Sequence, residues 1–310
     1  MTFRHVAIIG LGLLGGSTGL AVREFLPGVL TTGYDADPAT RTRAAERGLV
    51  EAICVSAAEA VKGADLVIFC VPVGAIGAAA AELSGCLEPG AVVSDVGSSK
   101  EGVLKALAEA FPANPVIPAH PVAGTEHSGP DAGFAALFRQ RWCILTPPAG
   151  TAPAFVASLT EFWEALGAHV EVMDAAHHDL VLAVTSHLPH LIAYTIVGTA
   201  SDLEEVTRSE VIKYSAGGFR DFTRIAASDP TMWRDVFLAN KDAVLEMLQR
   251  FTEDLTELQK AIRKDDGDAL FEHFARTRAI RRSIIEQGQD DARPDFGRAD
   301  HNGSGKPGAP

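Results

Sequence analysis

The sequence predicts an α/β protein in two parts, an N-terminal open, doubly wound sheet followed by an all-helical domain, and three observations carry that expectation. Short apolar runs alternate with segments of helical period over the first 146 residues, the pattern of successive βαβ units and a parallel sheet. Strand signals end at Met173, after which long amphipathic stretches take over. At 310 residues the chain is longer than one typical core and comfortable as two domains.

The elements follow in order. His5 to Ile9 reads as the first strand and Leu30 to Tyr34 as the second, with a short third near Ala52 to Val55. Ala64 to Val71 is the fourth, stopped by Pro72, which has no N–H for the ladder. Ala91 to Asp95, Val116 to His120 and Trp142 to Thr146 supply three more apolar runs. Beyond Pro147-Pro148-Ala149-Gly150 a helix from Ala152 to Leu166 leads to a last strand at His169 to Met173, so the boundary is expected near residue 172. Helices are then expected over Asp174 to Thr199, Ser201 to Tyr214, Thr231 to Arg263 and Asp268 to Gln287; their apolar faces suit a dimer interface as well as a private core. The stretch from Gly288 to Pro310, rich in Gly, Pro, Asp and Arg without periodicity, reads as a disordered tail.

Composition narrows the classes. An apolar share of 47% and a charged share of 22% fit a globular protein, and a formal charge of -13 argues against a nucleic-acid or anionic-membrane surface, which needs a basic face. The start, Met1-Thr2-Phe3-Arg4-His5, lacks a secretory signal, and no stretch reads as apolar for the roughly 20 residues of a spanning helix, so a cytoplasmic protein is expected. Cys54, Cys70, Cys86 and Cys143 have no C-x-x-C spacing and read as reduced core residues rather than redox ones.

Gly10-Leu11-Gly12-Leu13-Leu14-Gly15 follows a strand and opens a helix, the context that gives a G-x-G-x-x-G its meaning. Gly10 permits the tight turn, Gly12 lets backbone approach a pyrophosphate and Gly15 lets helix pack on strand, with the Leu13 and Leu14 amides at the helix start. Asp35, twenty residues past Gly15, is placed to accept from a ribose 2′-OH and to repel a 2′-phosphate, so NAD is expected rather than NADP. The bland alternative for Asp35 is a turn or cap carboxylate before Pro38, and Arg41 and Arg43 are the cations nearest in sequence to a 2′-phosphate. Val71 and Pro72, ending the fourth strand, belong to the same crevice. The first domain is therefore of Rossmann type.

Ligands of such sheets lie beyond the carboxyl ends of the strands, which directs attention to Asp95-Val96-Gly97-Ser98-Ser99-Lys100 and to the run from His120 to Gly129. Oxidising a carbinol leaves an O–H proton to remove, and a neutral imidazole suits that task. His120 is the candidate base, against a satisfied histidine at a strand end, and the Ser98 hydroxyl can hold its tautomer or the substrate. In the second half, Thr185-Ser186-His187-Leu188-Pro189-His190 interrupts an apolar helix, with Pro189 freeing the Thr185 carbonyl. Gly217-Gly218-Phe219-Arg220-Asp221-Phe222-Thr223-Arg224 places two arginines between helices, suited to a carboxylate or to a surface ion pair.

With these segments the chain, from Val6 to about Ile285, resembles the prephenate/arogenate (cyclohexadienyl) dehydrogenase family. The carriers are G-L-G-L-L-G-G-S at Gly10, D-V-G-S-S-K at Asp95, H-P-V-A-G-T-E-H-S-G at His120, S-H-L-P-H at Ser186, G-G-F-R-D-F-T-R-I-A at Gly217 and S-D-P-T-M-W-R-D at Ser228. The resemblance implies a homodimer joined through the helical domain. It implies that His120, with Ser98 beside it, takes the proton of a ring hydroxyl while hydride leaves for NAD and the ring carboxylate is lost as CO2. It implies Arg224 on that carboxylate, Ser186, His187 and His190 lining the pocket, and Glu126 with Arg220 at the side-chain end, where prephenate and arogenate differ. A metal on His177, His178, His187 and His190 lacks a completing carboxylate or thiol, and the first two read as cap or surface residues. A β-hydroxyacid dehydrogenase would show a lysine-based site, and a sensor that had lost chemistry need not keep Ser98, His120 and Arg224.

Overall fold

The computed structural model describes residues 3–125, 127–202 and 217–286. Internal packing divides the chain into two compact units, Met1–Leu248 and Gln249–Pro310.

In the first unit, His5–Ile9 forms β1, Leu13–Phe25 α1, Leu30–Tyr34 β2, Pro38–Arg47 α2, Ala52–Ile53 β3, Ala57–Val61 α3, Leu66–Phe69 β4, Val73–Glu82 α4, Val92–Asp95 β5 and Glu101–Ala110 α5. The strands pair in parallel in the order β3-β2-β1-β4-β5. Parallel neighbours need crossovers, and the crossover helices cover both faces, which is why β1 and β4 are apolar runs rather than alternating ones. Val6, Ile8, Leu66, Ile68 and Val92 face one buried cluster, and Ala7, Ile9, Val67, Phe69 and Val93 the other. Cys86, expected in the core, is instead exposed on the link between α4 and β5. Asp37, not Asp35, caps α2, accepting from the Ala39 and Thr40 amides with Pro38 in the first turn.

The sheet does not continue in parallel as expected. Val116 makes only an isolated bridge to Val93, and Ala119–Pro121 (β6) runs antiparallel to Trp142–Leu145 (β7), which pairs in parallel with His169–Val172 (β8) in a separate three-stranded sheet. Pro115, Pro118 and Pro121 remove ladder donors, and among its described residues the link between β6 and β7 holds 3-10 turns rather than a crossover helix. Pro153–Ala165 (α6) joins β7 to β8 and sends Trp163 into the first cluster.

Asp174 caps Ala175–Leu182 (α7), which continues through a π-turn at Ala183–His187 into Leu188–Ser201 (α8). The interruption expected at Pro189 is this widened turn, the local answer to a residue with no N–H and a device found often at functional sites. The run Ala175–Ser201 corrects one expectation, because by length and composition it could cross a membrane. Its Asp179 and His178 are nevertheless buried in hydrogen bonds to the Lys100 amide and His120, and its buried His187 bonds Asn240, an environment of protein rather than lipid. Gly217–Thr223 (α9) and a 3-10 turn at Arg224–Ala227 follow, so the two arginines stand on helix where a loop was expected. The single helix expected from Thr231 to Arg263 is two, Pro230–Ala239 (α10) and Lys241–Arg263 (α11), broken at Asn240 with φ −109°. Gly267–Glu286 (α12) lies in the second unit, whose Leu255, Ile262, Phe271, Phe274 and Ile280 are exposed. Most of the helix expected over Ser201 to Tyr214, and the tail from Gly288, lie outside the described residues.

Candidate active site

The glycine loop sits at the carboxyl end of β1. Gly10 has φ +101°, and a Cβ there would stand 2.6 Å from the Cys70 carbonyl oxygen; one on Gly15 would stand 1.9 Å from the Gly10 oxygen. Both positions therefore require glycine. A Cβ on Gly12 would meet nothing within 4 Å, and Gly12 begins α1 with no side-chain cap. The start of α1 at Gly12 is thus open and carries a partial positive charge, which fits a dinucleotide's phosphates. Asp35 ends β2 and its carboxylate accepts from the Leu11 amide (2.8 Å) and the Asp37 amide (3.0 Å), so it braces the glycine loop. Arg41 bonds the Asp35 carbonyl at 2.6 Å and lies over Tyr34, whereas Arg43 pairs with Asp131 and Glu46. Val71 and Pro72 follow β4 at the adjoining strand end, with Pro72 starting α4.

Beyond β5 a fully buried ion pair sets the backbone of the next strand. Lys100 Nζ donates to Asp95 Oδ2 at 2.5 Å and to the Ala119 carbonyl at 2.7 Å, while Asp95 Oδ1 accepts from the Ala119 amide at 3.2 Å. Both polar groups of Ala119, the residue before His120, are thereby held. Burial pushes the Asp95 carboxyl up and the Lys100 ammonium down, each partly offset by the other.

His120 on β6 is buried, and its Nδ1 lies 2.8 Å from Nε2 of His178 on α7; His178 Nδ1 in turn lies 2.8 Å from Asp179 Oδ1. Burial first, then the neighbouring His178, Lys100 and His187, push the His120 imidazole well below its usual value, so it is neutral. Asp179 also accepts from the Lys100 and Glu101 amides at 2.7 and 3.0 Å, capping α5 from outside. His178 corrects the surface reading: it is fully buried, while its neighbour His177 is exposed.

On the π-turn, His187 is fully buried, and burial lowers its pKa to about 4. Asn240 Nδ2 donates to the Asp179 carbonyl at 2.8 Å and lies 3.1 Å from His187 Nδ1. A neutral His187 accepting at Nδ1 carries its proton on Nε2, which has no hydrogen-bond partner among the described residues, and the ring lies near the Ser98 backbone. His190 bonds the Ser186 carbonyl through Nδ1 (2.8 Å) and stacks on Trp233 at 3.6 Å. Burial lowers the His190 pKa, the Ser186 bond opposes that, and the charge of Arg224 adds to it, so the guanidinium is within electrostatic reach of the ring.

The structure thus brings His120 and His187 together, with His187 near the Ser98 backbone, and groups Ser186, His190 and Arg224 on the adjoining helices. Arg220 is exposed on α9, one helical turn before Arg224, and Glu126 lies outside the described residues. Sequence reasoning missed His178, Asp179, Asn240 and the Lys100–Asp95 pair. The available signals were weak: an Asn inside an apolar helical run and charged residues beside a strand end.

A neutral imidazole held at the carboxyl edge of a glycine-looped parallel sheet is the arrangement of a nucleotide-dependent dehydrogenase. The chain belongs to the prephenate dehydrogenase family: residues 18–172 match its nucleotide-binding domain and residues 174–276 its dimerisation domain. A cyclohexadienyl dehydrogenase of Zymomonas mobilis is 44% identical over 91% of this chain and 96% of the relative. A prephenate dehydrogenase of Bacillus subtilis is 33% identical over 87% of this chain and 73% of the relative. Among solved structures, prephenate dehydrogenase of Aquifex aeolicus with hydroxyphenyl propionate and NAD+ superposes with TM-score 0.84 at 32% identity, covering 92% of this chain and 99% of that one.

Proposed function

We propose that the protein catalyses the NAD-dependent oxidative decarboxylation of prephenate to 4-hydroxyphenylpyruvate in tyrosine biosynthesis, acting in the cytoplasm as a homodimer. The observation that carries this reading is the buried neutral His120 close to His187, with the charge of Arg224 acting on the neighbouring His190. Gly10, Gly12, Leu13, Leu14, Gly15, Asp35, Val71 and Pro72 hold the cofactor. NAD supplies the hydride acceptor when bound. His120 accepts the proton of the ring 4-hydroxyl while the Ser98 hydroxyl orients it. Arg224 holds the ring carboxylate. The dienone so formed is a vinylogous β-keto acid, so CO2 leaves without help from a protein acid, and His120 returns its proton to the phenolate. Ser186, His187 and His190 shape the pocket, and Glu126 with Arg220 reads the side chain.

A second reading, acceptance of arogenate as well, is favoured by the cyclohexadienyl dehydrogenase relative at 44% identity. Purified protein assayed with prephenate and with arogenate, each with NAD and with NADP, decides among these. Turnover of prephenate with NAD is expected, and a chain that binds both without reducing the cofactor sinks the proposal.

In this reading residues 1–172 serve the cofactor and residues 173–287 serve substrate and dimer. Exposed Ile196, Val197, Leu255, Ile262, Phe271 and Phe274 support a partner on the helices. Light scattering is expected to give the mass of two chains.

Arg224→Ala is expected to raise KM by roughly 10- to 150-fold, the loss of a charge-assisted bond worth about 1.5–3 kcal/mol, with a smaller change in kcat. A normal KM would remove Arg224 from the carboxylate. Asp35→Ser is expected to raise NADP use and also to weaken NAD binding, because the loop loses its brace at the Leu11 amide. Unchanged discrimination would place cofactor choice elsewhere, for instance on Arg41.

A further inference from the structure

We propose that His178 and Asp179 are positioning residues that fix the tautomer of His120, leaving Nε2 as the only lone pair on its ring and therefore the basic atom. The inference rests on the reading of His120 as the base, and neither residue follows from the motifs. Its physical support is a chain of bonds with one consistent polarity. Asp179 accepts three hydrogen bonds, from the Lys100 amide, the Glu101 amide and His178 Nδ1. A carboxylate bonded to two backbone N–H groups is an acceptor only, so His178 Nδ1 carries a proton and donates. Burial lowers the pKa of His178 against the raising effect of Asp179, which leaves the ring neutral and its Nε2 a lone pair. That lone pair, 2.8 Å from His120 Nδ1, can only accept. His120 therefore donates at Nδ1 and is bare at Nε2.

Every charged or titratable group packed around His120 is compatible with this polarity. Lys100 stands behind the strand, committed to Asp95 and the Ala119 carbonyl. Cys143 on β7 faces that pair with burial raising its thiol pKa, and His187 presents a neutral ring. None of them offers Nδ1 of His120 an alternative partner. When the substrate proton arrives on Nε2, His120 becomes an imidazolium whose Nδ1–H points at the His178 lone pair. The positive charge is then shared along a bond that ends on the Asp179 carboxylate, and no second proton moves. Asn240, donating to the Asp179 carbonyl, and the capped N-terminus of α5 hold the far end of the relay, tying the base to both the strand end and the helices.

The test combines turnover with a direct reading of the tautomer. His178→Leu removes the acceptor while preserving volume, and kcat is expected to fall about 10- to 100-fold, a share of the roughly 10²–10⁴-fold that general-base help supplies, with KM for substrate nearly unchanged. His178→Gln places an amide oxygen near the former Nε2 and is expected to recover most of that loss, which a purely structural role would not predict. In wild-type protein labelled with 15N-histidine, His120, assigned by its absence in His120→Asn, should show a protonated Nδ1 and an unprotonated Nε2. This last measurement stands even where a variant fails to fold. A His120 protonated at Nε2 overturns the proposal, as does full activity of His178→Leu alongside an inactive His120→Asn. An active His120→Asn would instead sink the reading of His120 as the base, and the spectrum would still decide the tautomer.

Discussion

His120→Asn is expected to lower kcat by about 10²-fold or more while leaving KM for substrate nearly unchanged. The imidazole is buried, its Nδ1 is engaged, and burial above all, with the Lys100 ammonium nearby, keeps it unprotonated, so it is ready to receive a proton at physiological pH. Asparagine keeps a polar group near the relay without a basic nitrogen. The loss should therefore appear in the chemical step and not in binding, which remains with Arg224 and the pocket histidines. Because the pKa is lowered, the base stays deprotonated further into acid than an ordinary imidazole would. The acid limb of kcat/KM for the wild-type protein should thus fall below about pH 6.5. Steady-state kinetics across pH check both statements. Wild-type kcat in His120→Asn removes the residue from its role.

Lys100→Met is expected to destabilise the protein by about 3–5 kcal/mol, because it leaves the Asp95 carboxylate buried with no cation. Both side chains are completely buried, so solvent does not screen the loss. The Ala119 carbonyl also loses its donor, which loosens the strand end that carries His120. Adding Asp95→Asn should return part of the stability, since the residual cost is that of an unpaired charge and an amide carries none. Urea unfolding of the single and double variants measures the difference. A single variant as stable as wild type would refute the expected penalty of an unpaired Asp95 carboxylate.

Much of the cofactor side was legible from sequence, and the reason is local. A glycine loop, the strand before it and the acid after the next strand lie within a few tens of residues, and backbone sterics at Gly10 and Gly15 permit little else. The kink at Pro189 was equally local, since a missing N–H is a property of one residue. The antiparallel pairing of β6 with β7 was not legible, because strand direction depends on how the connection between them closes rather than on either apolar run.

His178 shows the limit most plainly. By periodicity it was one of two adjacent histidines near a helix start, indistinguishable from His177. Only packing of α7 against the end of β6 buries one ring and exposes the other, and only the bond from Asp179 orders the proton between His178 and His120. Sequence alone determined the glycine-looped sheet, the helical second half and the residue types a dehydrogenase needs, since these follow from short-range sterics and periodicity. Tertiary structure decided which of those residues meet and the polarity of the bonds between them, because partners 58 residues apart come together only when the chain has folded.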